Sequence, residues 1–69
     1  MAVHNLDKDQ TASVPNGSTV ACKGGRASFV SVTDGAGIRS IQNGEEFVQN
    51  WNGDLTAVAL VDNTVIVVE

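Results

Sequence analysis

The chain has 69 residues and a net charge of −4, so it forms one domain at most. Its four basic residues (Lys8, Lys23, Arg26 and Arg39) are scattered, and its aromatics are only Phe29, Phe47 and Trp51. That composition speaks against nucleic acid, which is met by basic patches and stacking aromatics, and against an anionic membrane surface. Cys22 is the only cysteine and His4 the only histidine, so an internal disulfide is impossible and a His/Cys zinc site lacks donors.

Residues 1–10, MAVHNLDKDQ, are polar, carry Asp7, Lys8 and Asp9, and show no alternation. They lack the basic and long apolar regions of a secretory signal. A flexible or extended N-terminal arm is expected there, followed by a compact β-domain over residues 11–69. Turn signals then arrive in series: Pro15-Asn16-Gly17-Ser18, Lys23-Gly24-Gly25-Arg26, Asp34-Gly35-Ala36-Gly37, Asn43-Gly44, Asn52-Gly53 and Asp62-Asn63. Their spacing of about eight to ten residues is that of short strands joined by tight turns. The stretches between have strand composition: Thr19 to Cys22, Ala27 to Thr33, Ile38 to Ile41, Glu46 to Trp51, Leu55 to Val61 and Thr64 to Val68. No window has helical periodicity, although Glu45 to Val48 fits a single helical turn. The expected fold is all-β: a small antiparallel β-barrel or β-sandwich of six to seven short strands.

A domain this short buries only roughly 60% of its unfolded surface, and small scaffolds without disulfides or metals lean on partner chains. The two most apolar strands support that. Leu55, Ala57, Ala59 and Val61 alternate with Thr56, Val58 and Leu60; Thr64, Ile66 and Val68 alternate with Val65 and Val67. A strand with one face in water alternates apolar and polar. Doubly apolar strands imply cover on both faces, either from a crowded closed core or from another protein. The run Thr64 to Val68 is aggregation-prone as an open edge, so a pairing partner is expected.

No constellation for catalysis stands out. Cys22 and His4 are the only thiol–imidazole pair, and Cys22 in Thr19-Val20-Ala21-Cys22 reads as a small strand hydrophobe. The carboxylates lie in or beside turns, where they bond local backbone. Asp7-Lys8-Asp9 lacks the other ligands of a calcium loop. Lys23-Gly24-Gly25-Arg26 has the look of an anion nest, but no helix follows, and a Gly-Gly hairpin is the simpler expectation. No enzyme, cofactor or small-molecule substrate is expected.

The order Val14-Pro-Asn-Gly-Ser-Thr-Val20, Gly24-Gly-Arg-Ala-Ser-Phe-Val30 and Asn52-Gly-Asp-Leu-Thr-Ala-Val-Ala-Leu60, closing on Val-Ile-Val-Val-Glu, resembles the small β-rich head decoration (cement) and head-fibre proteins of tailed bacteriophages. The resemblance spans residues 11–69 in texture and transfers no individual functional residue. It implies a capsid decoration protein that binds the virion exterior as a homo-oligomer, a trimer in many such proteins. Without the resemblance, the lone free cysteine fits a reducing, cytoplasmic setting. The contacts are expected from the arm (Val3, His4, Leu6) and the apolar strands (Val58, Leu60, Ile66, Val68). The alternative is a monomeric adaptor or inhibitor anchored by Trp51 and Phe47, since tryptophan is a frequent hot-spot residue. Asn52-Gly53 has the chemistry of a type I′ hairpin, with Trp51 and Leu55 meeting across its ladder. Trp51 is then expected at the domain edge or in an interface.

Overall fold

A computed structural model describes residues 1–69. It is all-β, with eight strands and no helix: β1 (Ala2–Leu6), β2 (Thr11–Val14), β3 (Thr19–Gly24), β4 (Arg26–Ser31), β5 (Gly37–Gln42), β6 (Glu46–Val48), β7 (Leu55–Ala59) and β8 (Thr64–Val68). They form two antiparallel four-stranded sheets, ordered β1-β8-β3-β6 and β2-β7-β4-β5. Each sheet keeps two edge strands, so neither closes on itself.

The two orders are the same order. β1 runs into β2, β8 follows β7, β3 runs into β4, and β6 follows β5. The molecule is therefore four long strands laid side by side, each bent once to pass from one sheet to the other. All four bends contain a residue with positive φ: Asp9 (72°), Gly25 (69°), Gly44 (94°) and Asn63 (61°). Asp, Asn and Gly are the residues that reach this region at least cost. Backbone bonds cross the bends in the same lateral order. Leu60 N–H donates to Arg26 C=O (2.9 Å), Asn43 N–H to Gly25 C=O (3.0 Å) and Gly44 N–H to Cys22 C=O (2.9 Å). Lys8 N–H donates to the Asp62 carboxylate at 2.9 Å, which ties the first bend to the last.

The inner faces share one core. Val14, Val20, Cys22, Phe29, Leu55 and Ile66 are fully buried, with Ala27, Ala57 and Ala59 between them. Alternation places them: along β7 and β8 every second residue is buried and its neighbours are half-buried. At the bend of β3 into β4 the layers nearly touch. A Cβ on Gly25 would stand 2.9 Å from Thr64 Cα and closer still to Thr64 Oγ1. Thr64 is fully buried, and its hydroxyl lies 2.8 Å from Val61 C=O and 3.2 Å from Arg26 C=O. A polar group buried here is thereby satisfied.

Several expectations are corrected. Residues 1–10 are not an arm: Ala2–Leu6 pairs with β8 along its whole length, from Ala2↔Val68 to Leu6↔Thr64, and Leu6 joins the core. This pairing raises the strand number to eight. Lys23-Gly24-Gly25-Arg26 is not a hairpin but the bend between sheets. Asn52-Gly53 is not a type I′ hairpin either. That turn needs positive φ at both residues, only Gly53 has it (132°), and β6 and β7 lie in different sheets. Glu45 to Val48 forms no helical turn; Glu46–Val48 is β6. The hairpin that does form joins β4 to β5 around Asp34-Gly35.

Gly25→Ala should cost about 3 kcal/mol or more, because it adds a clash to the positive-φ strain. Gly35→Ala, at φ 73° with open space around it, should cost about 1–2 kcal/mol. Denaturant midpoints of the two variants check the difference.

Candidate functional site

A mainly apolar cleft lies between the edge strands β5 and β6. Ile38, Arg39, Phe47, Val48, Trp51 and Leu55 line a cleft of about 70 Å³. Ligand pockets run to roughly 300–1,000 Å³, so this one takes a single side chain. Two of the chain's three aromatics, Phe47 and Trp51, line it, and the third, Phe29, lies buried behind Phe47. The Phe47 ring meets Phe29 edge-to-face, with centroids 5.0 Å apart at 81°. The Arg39 guanidinium sits 4.3 Å over the centre of the Phe47 ring, a cation–π geometry that holds an exposed charge against an apolar wall.

Trp51 is held by its neighbours while 38% of its surface stays open. Its indole N–H donates to Ser31 Oγ at 3.3 Å, and its backbone N–H donates to Gln49 Oε1. Gln49 is the hub of this end of the molecule. It is 1% exposed, and its amide nitrogen donates to Gly53 C=O at 2.9 Å and to Val14 C=O at 3.3 Å. Its backbone exchanges bonds with the first turn: Gly17 N–H to Gln49 C=O (2.8 Å) and Gln49 N–H to Ser18 C=O (2.7 Å). One buried amide thus fixes the two chain crossings at the open end of the sheets, where Trp51 sits.

The second candidate surface is the outer face of the β1-β8-β3-β6 sheet. The registers Val3↔Val67↔Ala21 and Asn5↔Val65 put Val3, Val65, Val67 and Ala21 on one stripe. Val3 is 52% exposed, and Val65 and Val67 are half-buried. The outer face of the other sheet is mixed, with Val58 flanked by Thr11 and Ser28. A cleft of about 150 Å³ at the bends is lined by Arg26, Ser40, Ile41, Gln42, Glu45 and Leu60.

The residues singled out from sequence divide. Val3, Val58, Leu60 and Trp51 keep surface, and His4 is half-buried on β1. Leu6, Ile66 and Val68 face the core. The outward row of β8 is Val65 and Val67, which sequence reasoning passed over because a buried threonine heads the inward row. His4 and Cys22 flank Ile66 on either side, two strand spacings or roughly 9–10 Å apart, so they form no thiol–imidazole pair. The Cys22 thiol instead bonds Gly24 C=O at 3.1 Å. No group of three or more His, Cys, Asp or Glu side chains is arranged to hold a metal ion. Compared with protein-family models, with curated proteins and with solved structures, the chain matches none.

Gln49→Met keeps the volume but leaves the Trp51 N–H and the Val14 and Gly53 carbonyls without their side-chain partner. It should cost roughly 2–3 kcal/mol and release Trp51, read as a red shift of its fluorescence together with the fall in denaturant midpoint.

Proposed function

We propose that this chain is a non-enzymatic structural assembly protein. It self-associates and docks on a larger protein surface, in the manner of the phage head decoration proteins its sequence resembles. The observation that carries this reading is the aliphatic row of exposed Val3 and half-buried Val65 and Val67 on one outer sheet face. A contiguous apolar row on a small domain marks an interaction site, and like copies bring like patches together around an axis. We read the two sheets, each with free edges, as the layers of a sandwich whose one face is built for contact. The rigidity suits a clamp on a lattice: every buried side-chain polar atom has a partner, and the bends are cross-bonded.

A second reading rests on the Trp51–Phe47–Arg39 cleft, which would take one apolar or aromatic side chain of a partner and let the chain act as a monomeric binding module. Light scattering over a concentration series separates the two. The assembly reading expects a mass above that of the single chain, with self-association rising with concentration. A monomer at every concentration contradicts it and leaves the module.

A further inference from the structure

We propose that two copies of this chain join through their β1 edges, pairing antiparallel about a two-fold axis so that two four-stranded sheets become one continuous sheet. The inference rests on the assembly reading and names how the copies meet.

The free backbone groups on β1 follow from the register. Thr19 and Glu69 exchange both bonds, Thr19 N–H to Glu69 C=O at 2.8 Å and Glu69 N–H to Thr19 C=O at 2.9 Å. They are therefore a hydrogen-bonded pair of the antiparallel ladder, and such pairs alternate. Residues 65, 67 and 69 point their backbone groups at β3, and Thr64, Ile66 and Val68 point theirs at β1. Their partners Leu6, His4 and Ala2 are engaged with β8. Val3 and Asn5 present N–H and C=O outward, with nothing to receive them.

The other three edges are each defended, and β1 is not. β6 is three residues long and carries Glu46. β5 holds Gly37 and Arg39, and its pairing with β4 shifts register at Phe29/Val30. β2 has four residues and stops at Pro15. Short length, charge, bulges and proline are the devices that keep an edge single. β1 has five residues, Ala-Val-His-Asn-Leu, with no charged carboxylate or ammonium side chain, no glycine, no proline and no register shift.

An uncharged strand of this length suits its own copy. Full overlap of Ala2–Leu6 with the partner's Ala2–Leu6 sets Val3 opposite the partner's Asn5, and Asn5 opposite the partner's Val3. Both are the residues whose backbone groups face outward, so both pairs can exchange N–H···O bonds; a one-residue slip would point those groups past each other. His4 meets the partner's His4 on the axis. The two valine stripes then lie side by side on a single outer face, which doubles the docking surface.

Asn5→Pro tests this. It removes an outward N–H, costs no bond to β8, and leaves Val3, Val65 and Val67 in place; proline is tolerated on an edge strand with its nitrogen toward solvent. In sedimentation equilibrium the full-length wild type should give an even-numbered oligomer. For the variant the mass should fall about two-fold or to that of the single chain, with an unchanged circular dichroism spectrum. As a readout without mutation, the Val3 and Asn5 amides of the wild type should gain hydrogen-exchange protection as concentration rises. An oligomer that survives Asn5→Pro, an odd-numbered oligomer, or unprotected Val3 and Asn5 amides in the associated state overturns edge pairing and leaves the assembly reading standing. A monomeric wild type overturns both.

Discussion

The contact on which the rest of the structure depends is the crossing of Gly25 over Thr64. Two layers of β-structure must meet wherever a strand leaves one sheet for the other, and here they meet without room for a methyl group. Thr64 opens β8 and Gly25 closes the bend of β3 into β4, so the contact joins two neighbouring long strands at their corners. The Thr64 hydroxyl lies within reach of a carbonyl of each bend, Val61 C=O at 2.8 Å and Arg26 C=O at 3.2 Å. With this corner set, Leu60, Asn43 and Gly44 find their backbone partners across the adjacent bends, and both sheets inherit one strand order. The inward rows of β4, β7 and β8 then face each other as the core.

Much of the fold is legible in the sequence because two signals act locally. Glycine and Asn/Asp punctuate the chain where φ must turn positive, and β-branched residues fill the intervals. Thr64–Val68 is bounded as its composition suggests, and Arg26–Ser31 lies within a residue or two of its apolar run. What composition hides is which sheet a strand joins. Asn43-Gly44 and Asn52-Gly53 have hairpin chemistry, yet both carry the chain between layers, because a turn residue sets the local φ and not the partner strand. β1 is hidden for another reason. His4 lies in its inward row between Ala2 and Leu6, and Val3 faces out, so its alternation is inverted at the one position where hydropathy would have marked it.

The candidate site was legible only in part. Trp51 and Phe47 stand out as the aromatics of an aromatic-poor chain, and the cleft gathers both. Gln49 gives no sign in sequence, where it reads as a polar residue near a turn. Its role comes from the Trp51 N–H and Gly53 C=O close by in the chain and the Val14 C=O 35 residues away, which converge on one buried amide. The outward row of β8 is likewise ambiguous, since both faces are aliphatic and only the buried Thr64 reveals the parity. A small domain with a single cysteine thus uses the buried amide of Gln49 and hydroxyl of Thr64 for internal closure and leaves Val3, Val65 and Val67 on an outer face. That division is the physical basis for reading it as a component of an assembly.

The molecule is built as four long strands laid side by side and folded over once at cross-bonded corners. Native-state hydrogen exchange at the bends tests this architecture most directly. The Cys22, Asn43, Gly44 and Leu60 amides, whose bonds span the corners, should open only with global unfolding, at the same free energy as the mid-sheet amides of Phe29 and Ile66. Exchange at the corners well below that free energy, while the two sheets stay protected, would show two independently stable layers joined by hinges and not one folded-over set of strands.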